Sequence, residues 1–157
     1  MRETTIYWAG QLFNMSERNH NRRCASILRR MGYKVILPQE DAEKFRNEDG
    51  SWNLTEVALD CAKNATHVEV VAINLDGPDV DSGTSVEAGI RIGMNMRDGI
   101  PTGLLIGWRS DFRLSEDKVT GTNAMFRLLQ EIVRVGPDST EEELCEALHA
   151  RIQECLS

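Results

Sequence analysis

Val68-Glu-Val-Val-Ala-Ile-Asn-Leu75 is the segment that decides the fold of this chain. It is mostly apolar and rich in β-branched residues, which is typical of a central strand buried on both faces of a parallel sheet. A turn signal, Asp76-Gly77-Pro78, ends the run, and a helical pattern follows over residues 84–96. A strand that leads through a loop into a helix indicates a β-α unit.

The same alternation of strand and helix extends in both directions from this segment. Further strands are predicted over residues 4–8, 33–37, 102–108 and 132–135. Further helices are predicted over residues 17–31, capped by Ser16 and ended by Gly32, over 54–65 and 123–130, and from Thr140, which forms a capping box with Glu143. Residues 40–53 are polar and are predicted to form a loop. Five β-α repeats require a parallel sheet covered by helices, with ligands beyond the carboxyl ends of its strands.

Length and composition indicate one globular domain over residues 1–157. The chain is 41% hydrophobic and 27% charged, without a low-complexity tract. Its net charge of −7 offers no general attraction for phosphate backbones or anionic lipid, so we expect no nucleic acid and no membrane as partner. No run approaches the ~20 apolar residues of a membrane span, and no export segment is recognisable. A cytoplasmic protein is therefore expected.

The cysteines and histidines favour neither a disulfide framework nor a metal site. Cys24, Cys61, Cys145 and Cys155 include no C-x-x-C pair, and reduced thiols are expected. Two of them, Cys24 and Cys145, fall where predicted helices turn inward, which favours burial over a redox role. The three histidines lack H-x-x-x-H spacing, so we expect no metal and no cofactor.

Residues 76–89, DGPDVDSGTSVEAG, are suited to chemistry. They place three carboxylates in a loop at the expected ligand edge and Glu87 near the start of the next helix. The helix dipole favours the anionic form of a carboxylate there, so Glu87 is predicted to attack an electrophilic carbon. Asp81 could protonate the leaving group, because two carboxylates in a partly dry pocket divide into an anion and an acid. Glycosyl transfer uses such a pair.

The same spacing also allows a purely structural interpretation. Asp81 or Ser82 could cap the helix, with Glu87 a solvated acid in its first turn. Phosphate binding is disfavoured, because the loop is acidic and neither G-x-G-x-x-G nor G-x-x-x-x-G-K-[ST] occurs. A serine hydrolase is disfavoured, because there is no G-x-S-x-G elbow.

Several segments, in chain order, resemble the nucleoside 2-deoxyribosyltransferases. They are IYWAGQLF (6–13), the stretch from GY (32–33) to LPQ (37–39), and LDG (75–77) with DSGT (81–84) and EAG (87–89). The resemblance implies a flavodoxin-like three-layer α/β sandwich with a five-stranded parallel sheet. It also implies transfer of a 2-deoxyribosyl group from a 2′-deoxynucleoside to another purine or pyrimidine base, through a covalent ester on a glutamate.

The resemblance implies roles for particular residues. Glu87 matches the nucleophile, Asp81 the acid six residues before it, and Tyr7 a hydroxyl that orients the nucleophile. Asp60 matches a carboxylate that contacts the base. In relatives that carboxylate stands eight residues before a second acid at the next strand, whereas Glu69 stands nine residues after Asp60.

The resemblance also implies a homo-oligomer with shared sites. Asn123, within Asn-Ala-Met, matches an asparagine that reaches the site of a neighbouring subunit, although it could instead cap its own helix. Gln11 stands where relatives have proline, and Phe13 and Trp52 could stack on a base, whereas Trp8 fits the core equally well. The full set of expected substrate contacts is Gly10, Gln11, Phe13, Gln39, Ser82, Gly83 and Asn123 of the neighbouring subunit.

Two other functions remain open. One is hydrolysis of the N-glycosidic bond of deoxynucleosides or their 5′-monophosphates, although the first loop, residues 10–14, has no cation to hold a phosphate. The other is a non-enzymatic module that senses nucleotides or bases, because fold alone does not determine function. Such a module would not need both Asp81 and Glu87.

Overall fold

Five parallel strands form the sheet in the part of the chain that the computed structural model describes, residues 3–99 and 102–157. They are β1 (Thr5–Ala9), β2 (Lys34–Ile36), β3 (Val70–Asn74), β4 (Leu104–Arg109) and β5 (Glu131–Arg134). Their order across the sheet is β2-β1-β3-β4-β5, the flavodoxin-like order. The predicted fold class is therefore confirmed.

Helices cover both faces of this sheet. They are α1 (Met15–Arg30), α2 (Pro38–Asp41), α3 (Leu54–His67), α4 (Ser82–Asp98) and α5 (Glu141–Leu156), with 3-10 turns at Ala42–Phe45 and Ala124–Leu128. Helices α1 and α5 pack on one face, and α3 and α4 pack on the other. Cys24 and Cys145 are both buried between α1 and α5, which confirms their predicted packing. Within the described residues, no helix is long and apolar enough to cross a bilayer.

Side-chain alternation along β1 decides which residue faces which helical layer. Ile6 and Trp8 join the core under α1 and α5, while Tyr7 and Ala9 join the core under α3 and α4. Trp8 is fully buried and stacks on Trp108, so its core interpretation is the one the structure supports. Tyr7 is thereby directed toward α3 and α4.

Three helix termini test the sequence signals directly. Asn14, not Ser16, caps α1, because its side chain accepts the Glu17 backbone N–H at 3.0 Å while Glu17 accepts the Asn14 N–H at 3.1 Å. The Ser16 prediction was wrong because the helix starts two residues earlier than expected. Gly32 follows the end of α1 with φ of 94°, and the Thr140–Glu143 capping box is present, as predicted.

Two connections differ from the sequence prediction. Part of the predicted loop over 40–53 is helical, because Pro38 begins α2 and a 3-10 turn follows. The predicted helix over 123–130 is instead the 3-10 turn Ala124–Leu128, ended by extended backbone at Leu129. The link from β4 to β5 therefore has no α-helix, and only four of the five predicted β-α repeats are regular.

The strand order places a crevice between neighbouring strands β1 and β3. The chain leaves β1 toward α1 on one face and leaves β3 toward α4 on the other. The two loops diverge at the carboxyl end of the sheet, where ligands bind in open α/β folds.

Candidate active site

A cavity of about 390 Å³ lies beside this crevice. The loop after β1, Pro38 after β2 and the facing sides of α3 and α4 form its walls. Most of the lining is apolar, and the polar side chains in it are Asp81, Thr84, Glu87 and the thiol of Cys61. A largely apolar cavity with a few converging polar groups is typical of a small-molecule site.

Tyr7 and Glu87 form the central contact of the cavity. The Tyr7 hydroxyl donates to Oε1 of Glu87 at 2.7 Å, across 80 residues of sequence. Burial raises the pKa of Tyr7 strongly, and the negative charge of Glu87 raises it further. The phenol therefore stays protonated and remains a donor. The orienting contact implied by the resemblance is present in the geometry.

Glu87 lies near the start of α4, as predicted, but in its second turn, six residues after the N-cap. Because the helix dipole acts mainly within the first turn, the expectation that the dipole keeps Glu87 ionised was wrong. Burial raises the pKa of Glu87, hydrogen bonding from Tyr7 and Cys61 lowers it, and the charge of Asp81 raises it. Neutral donors, not the dipole, are what favour the anion here.

Asp81 is the N-cap of α4, as the structural interpretation allowed. Its Oδ2 accepts both the backbone N–H of Thr84 at 3.0 Å and the Thr84 hydroxyl at 3.1 Å. Asp81 also lines the cavity, and no described residue donates to its Oδ1. Capping and chemistry can therefore use different oxygens of one carboxylate. Gly83 lines the cavity beside it, whereas Ser82 is exposed outside it.

Among the α3 residues that line the cavity, Cys61 is the one with a polar side chain, and the sequence prediction missed it. Cys61 lines the cavity together with Glu87 and borders a small groove together with Tyr7, and burial raises the pKa of Cys61. Asp60 lies on an adjoining small groove instead, paired with Lys44 at 3.4 Å and accepting from Asn64 at 3.1 Å.

Spacing along the chain was the signal that could have identified Cys61. Glu69, the acid before β3, stands eight positions after Cys61. The resemblance implies the same spacing for the residue that contacts the base. The position at the expected spacing is therefore present in this chain and carries a thiol. Asp60 stands one residue too early and lines no part of the cavity.

The predicted contacts from the first loops divide into two groups. Gly10 and Phe13 line the cavity, and Phe13 is largely exposed there, free to cover a ligand. Gln11 and Gln39 support the loops instead. Gln11 Nε2 donates to the Asp76 carbonyl at 3.0 Å, and buried Gln39 donates to the Arg18 carbonyl at 2.8 Å.

Trp52 and Asn123 lie away from the cavity. The Trp52 ring packs under the Arg46 guanidinium, whose carbon lies 4.2 Å from the ring centroid. Asn123 accepts from the Met125 N–H at 3.0 Å and donates to Glu116 at 2.9 Å, so within one subunit it caps the 3-10 turn. It borders a separate groove along the other side of α4.

The family model for nucleoside 2-deoxyribosyltransferase matches residues 6–125, more than half of the chain. The chain belongs to the nucleoside 2-deoxyribosyltransferase family. Membership makes it an enzyme that transfers or hydrolyses a glycosyl group. No curated protein matches the sequence significantly.

Solved structures share the fold of this family member. A conserved protein from Enterococcus faecalis V583 has a TM-score of 0.67 at 23% identity, covering 96% of this chain and 99% of that one. A 2-deoxyribosyltransferase from Bacillus psychrosaccharolyticus has a TM-score of 0.62 at 20% identity, covering 86% and 89%. The CMP N-glycosidase of Clostridium botulinum has a TM-score of 0.60 at 13% identity, covering 94% and 99%. At these identities the likeness concerns the fold.

Proposed function

We propose that this chain, as one domain over residues 1–157, transfers the 2-deoxyribosyl group of a 2′-deoxynucleoside to another purine or pyrimidine base. The observation that carries the proposal is the 2.7 Å hydrogen bond from Tyr7 to Glu87 inside an apolar cavity with Asp81 beside it. A fully solvated acid on a helix surface, the structural alternative, would be neither half-buried, as Glu87 is, nor held by a phenol from the central sheet.

The proposed reaction has two balanced steps. In the first, an oxygen of Glu87 forms a bond to C1′ while the C1′–N bond breaks, and Asp81 gives its proton to the departing base. The sugar is then held as an ester of Glu87. In the second, a nitrogen of the incoming base attacks C1′, the ester bond breaks, and the proton of that base returns to Asp81.

Cavity chemistry supports a nucleoside over a nucleotide. No lysine or arginine is among the described residues that line the cavity, and its two carboxylates would repel a 5′-phosphate. Apolar side chains of α3 and α4, with Phe13 at the edge, suit the flat face of a base. The CMP N-glycosidase of similar fold acts on a nucleotide, and hydrolysis is the second outcome that the test below separates.

A homo-oligomer with shared sites completes the proposal. Asn123 would enter the cavity of a neighbouring subunit, because within its own subunit it lies on the opposite side of α4. We propose a role in nucleoside salvage in the cytoplasm, without cofactor or metal.

The decisive experiment follows base exchange between a deoxynucleoside and a second free base by chromatography, with free deoxyribose measured in parallel. Base exchange supports transfer, and release of free sugar alone indicates hydrolysis. If neither product forms, both functions are contradicted. The deoxynucleoside 5′-monophosphate serves as competing substrate and should react far more slowly.

Variants of Glu87 test the nucleophile. Glu87→Ala and Glu87→Gln should each lower exchange by several powers of ten, as for other covalent nucleophiles. Glu146→Gln, the same change on the exposed face of α5, is the matched control and should be fully active. A 2′-fluorinated substrate analogue should leave a sugar adduct on Glu87, detected by mass spectrometry of its peptide. Turnover of Glu87→Gln at the wild-type rate would refute the mechanism.

A further inference from the structure

Helix α3 places the thiol of Cys61 in the cavity that the carboxylate of Glu87 also lines. Cys61 is half-buried and borders both the cavity and the small groove beside Tyr7. The other cysteines lie elsewhere: Cys24 and Cys145 are buried under α1 and α5, and Cys155 is exposed near the end of α5. Cys61 is therefore the cysteine that shares a cavity with Glu87.

The surroundings of Cys61 keep it a neutral S–H group. Burial raises its pKa, hydrogen bonding from Tyr7 offsets part of that rise, and the nearby charge of Glu87 raises the pKa of Cys61 again. A thiolate there would add a second negative charge beside a carboxylate with few polar partners. Cys61 is therefore a hydrogen-bond donor and not a nucleophile, which requires the thiolate.

We propose that Cys61 is a positioning residue for the nucleophile, donating its S–H to the Glu87 carboxylate from the α3 side while Tyr7 donates its O–H from the sheet. The proposal rests on the proposed role of Glu87. Two neutral donors on opposite sides confine the carboxylate to one rotamer and offset part of the burial that disfavours the anion. The nucleophile is then oriented and ionised without a positive charge in the cavity.

The wall of α3 also stays uncharged at this point. Asp60, the adjacent residue, faces Lys44 and Asn64 and not the cavity. With a thiol at this position, Asp81 and Glu87 are the two carboxylates that line the cavity, so Asp81 is the carboxyl group left to protonate the departing base. Cys61 therefore helps to separate the roles of the two carboxylates.

Six ionisable groups enter a pH test of this idea. Glu87 is faced by Tyr7 from β1, by Cys61 from α3 and by Asp81 from the start of α4. Cys61 also experiences the charge of Asp60, which Lys44 partly neutralises. All of these except Cys61 stay unchanged in the variants below.

The test compares Cys61→Ala and Cys61→Val, which lack a donor, with Cys61→Ser, which keeps one. The Glu87 carboxyl carbon is followed by ¹³C NMR across a pH titration, with Glu87→Gln used to assign its signal. Loss of the donor should raise the pKa of Glu87 by about 0.5–1 pH unit, because a hydrogen bond to the charged form favours that form and S–H is a weak donor. The serine variant should titrate at or below the wild-type value. Cys155→Ala is the matched control and should not shift.

Activity gives the second measurement. The acidic limb of the pH profile of kcat/KM should move upward by the same amount in Cys61→Ala and Cys61→Val, and return in Cys61→Ser. At pH values near this acidic limb, kcat of Cys61→Ala and Cys61→Val should fall several-fold with little change in KM, because Cys61 acts through Glu87. Melting temperatures show that each variant is folded, and the valine variant fills the space if alanine loosens the helix.

The outcomes separate the two proposals. If Glu87 titrates within about 0.2 pH unit of wild type in both Cys61→Ala and Cys61→Val, the proposed role of Cys61 is overturned, because the expected shift is about 0.5–1 pH unit. Because the NMR titration needs no turnover, a clear shift in a protein without deoxyribosyl transfer would support Cys61 while refuting the proposed function.

Discussion

Tyr7→Phe is the most informative single perturbation of the candidate site. It removes one oxygen, the donor that lies 2.7 Å from Glu87 Oε1, and keeps the ring that fills the core under α3 and α4. Without this donor the Glu87 anion loses stabilisation while the neutral acid loses little. The pKa of Glu87, already raised by burial, should therefore rise further.

The expected size of the shift follows from the contact. A short hydrogen bond to a charged group contributes about 1.5–3 kcal/mol, and one pKa unit corresponds to ~1.36 kcal/mol. The Glu87 pKa should rise by about 1–2 units. Attack on the sugar requires the Glu87 anion. At pH values below the acidic limbs of both the wild-type and the variant profile, Tyr7→Phe should therefore react about 10–100-fold more slowly than wild type, and the difference in rate should become smaller at higher pH.

The assay is the pH profile of kcat/KM for base exchange, with wild type and variant in the same buffer series. Tyr33→Phe is the matched control, because the Tyr33 hydroxyl pairs with His149 at 2.8 Å far from the cavity. A Tyr7→Phe profile with its acidic limb at the wild-type pH would refute the argument. A uniform loss at every pH would mean that Tyr7 acts through geometry alone.

Three further outcomes are expected. Glu87→Gln should raise the melting temperature at pH 7, because a carboxyl whose pKa is raised in the folded state destabilises the fold once it is ionised. The difference in melting temperature from wild type should disappear below the ordinary pKa of glutamate. A difference that does not change with pH would contradict the burial argument. Deoxyribonucleosides should react about 10–200-fold faster than ribonucleosides, because crowding by one hydroxyl near Glu87 is worth about 1–3 kcal/mol; equal rates on adenosine and deoxyadenosine would contradict this geometry. Mixed oligomers of inactive Glu87→Ala and Asn123→Ala subunits should regain part of the exchange activity if Asn123 acts across an interface, whereas a residue that only caps its own turn cannot be complemented, provided that subunit exchange is demonstrated separately.

Long periodic patterns were the predictable part of the fold. All five strands and helices α1, α3, α4 and α5 follow from apolar runs or helical spacing, since each contributes apolar residues to the core on one or both faces of the sheet. The short helical elements were not predicted correctly, because they lack such a pattern. Helix α2 and the 3-10 turn Ala124–Leu128 are about one turn long, too short for a periodic face, and local caps and neighbours decide them.

For the candidate site, the sequence by itself determined which residues follow the strands or lie at the start of α4. Among them, Gly10, Phe13, Asp81 and Glu87 line the cavity, because parallel strands end at a common edge of the sheet. Only the tertiary structure decided that Cys61, and not Asp60, joins them. Neighbouring residues on a helix point about 100° apart, so the rotation of α3 about its axis selects one of the two. That rotation is set by packing against α4 and the sheet, contacts that span distant parts of the chain and leave no local pattern.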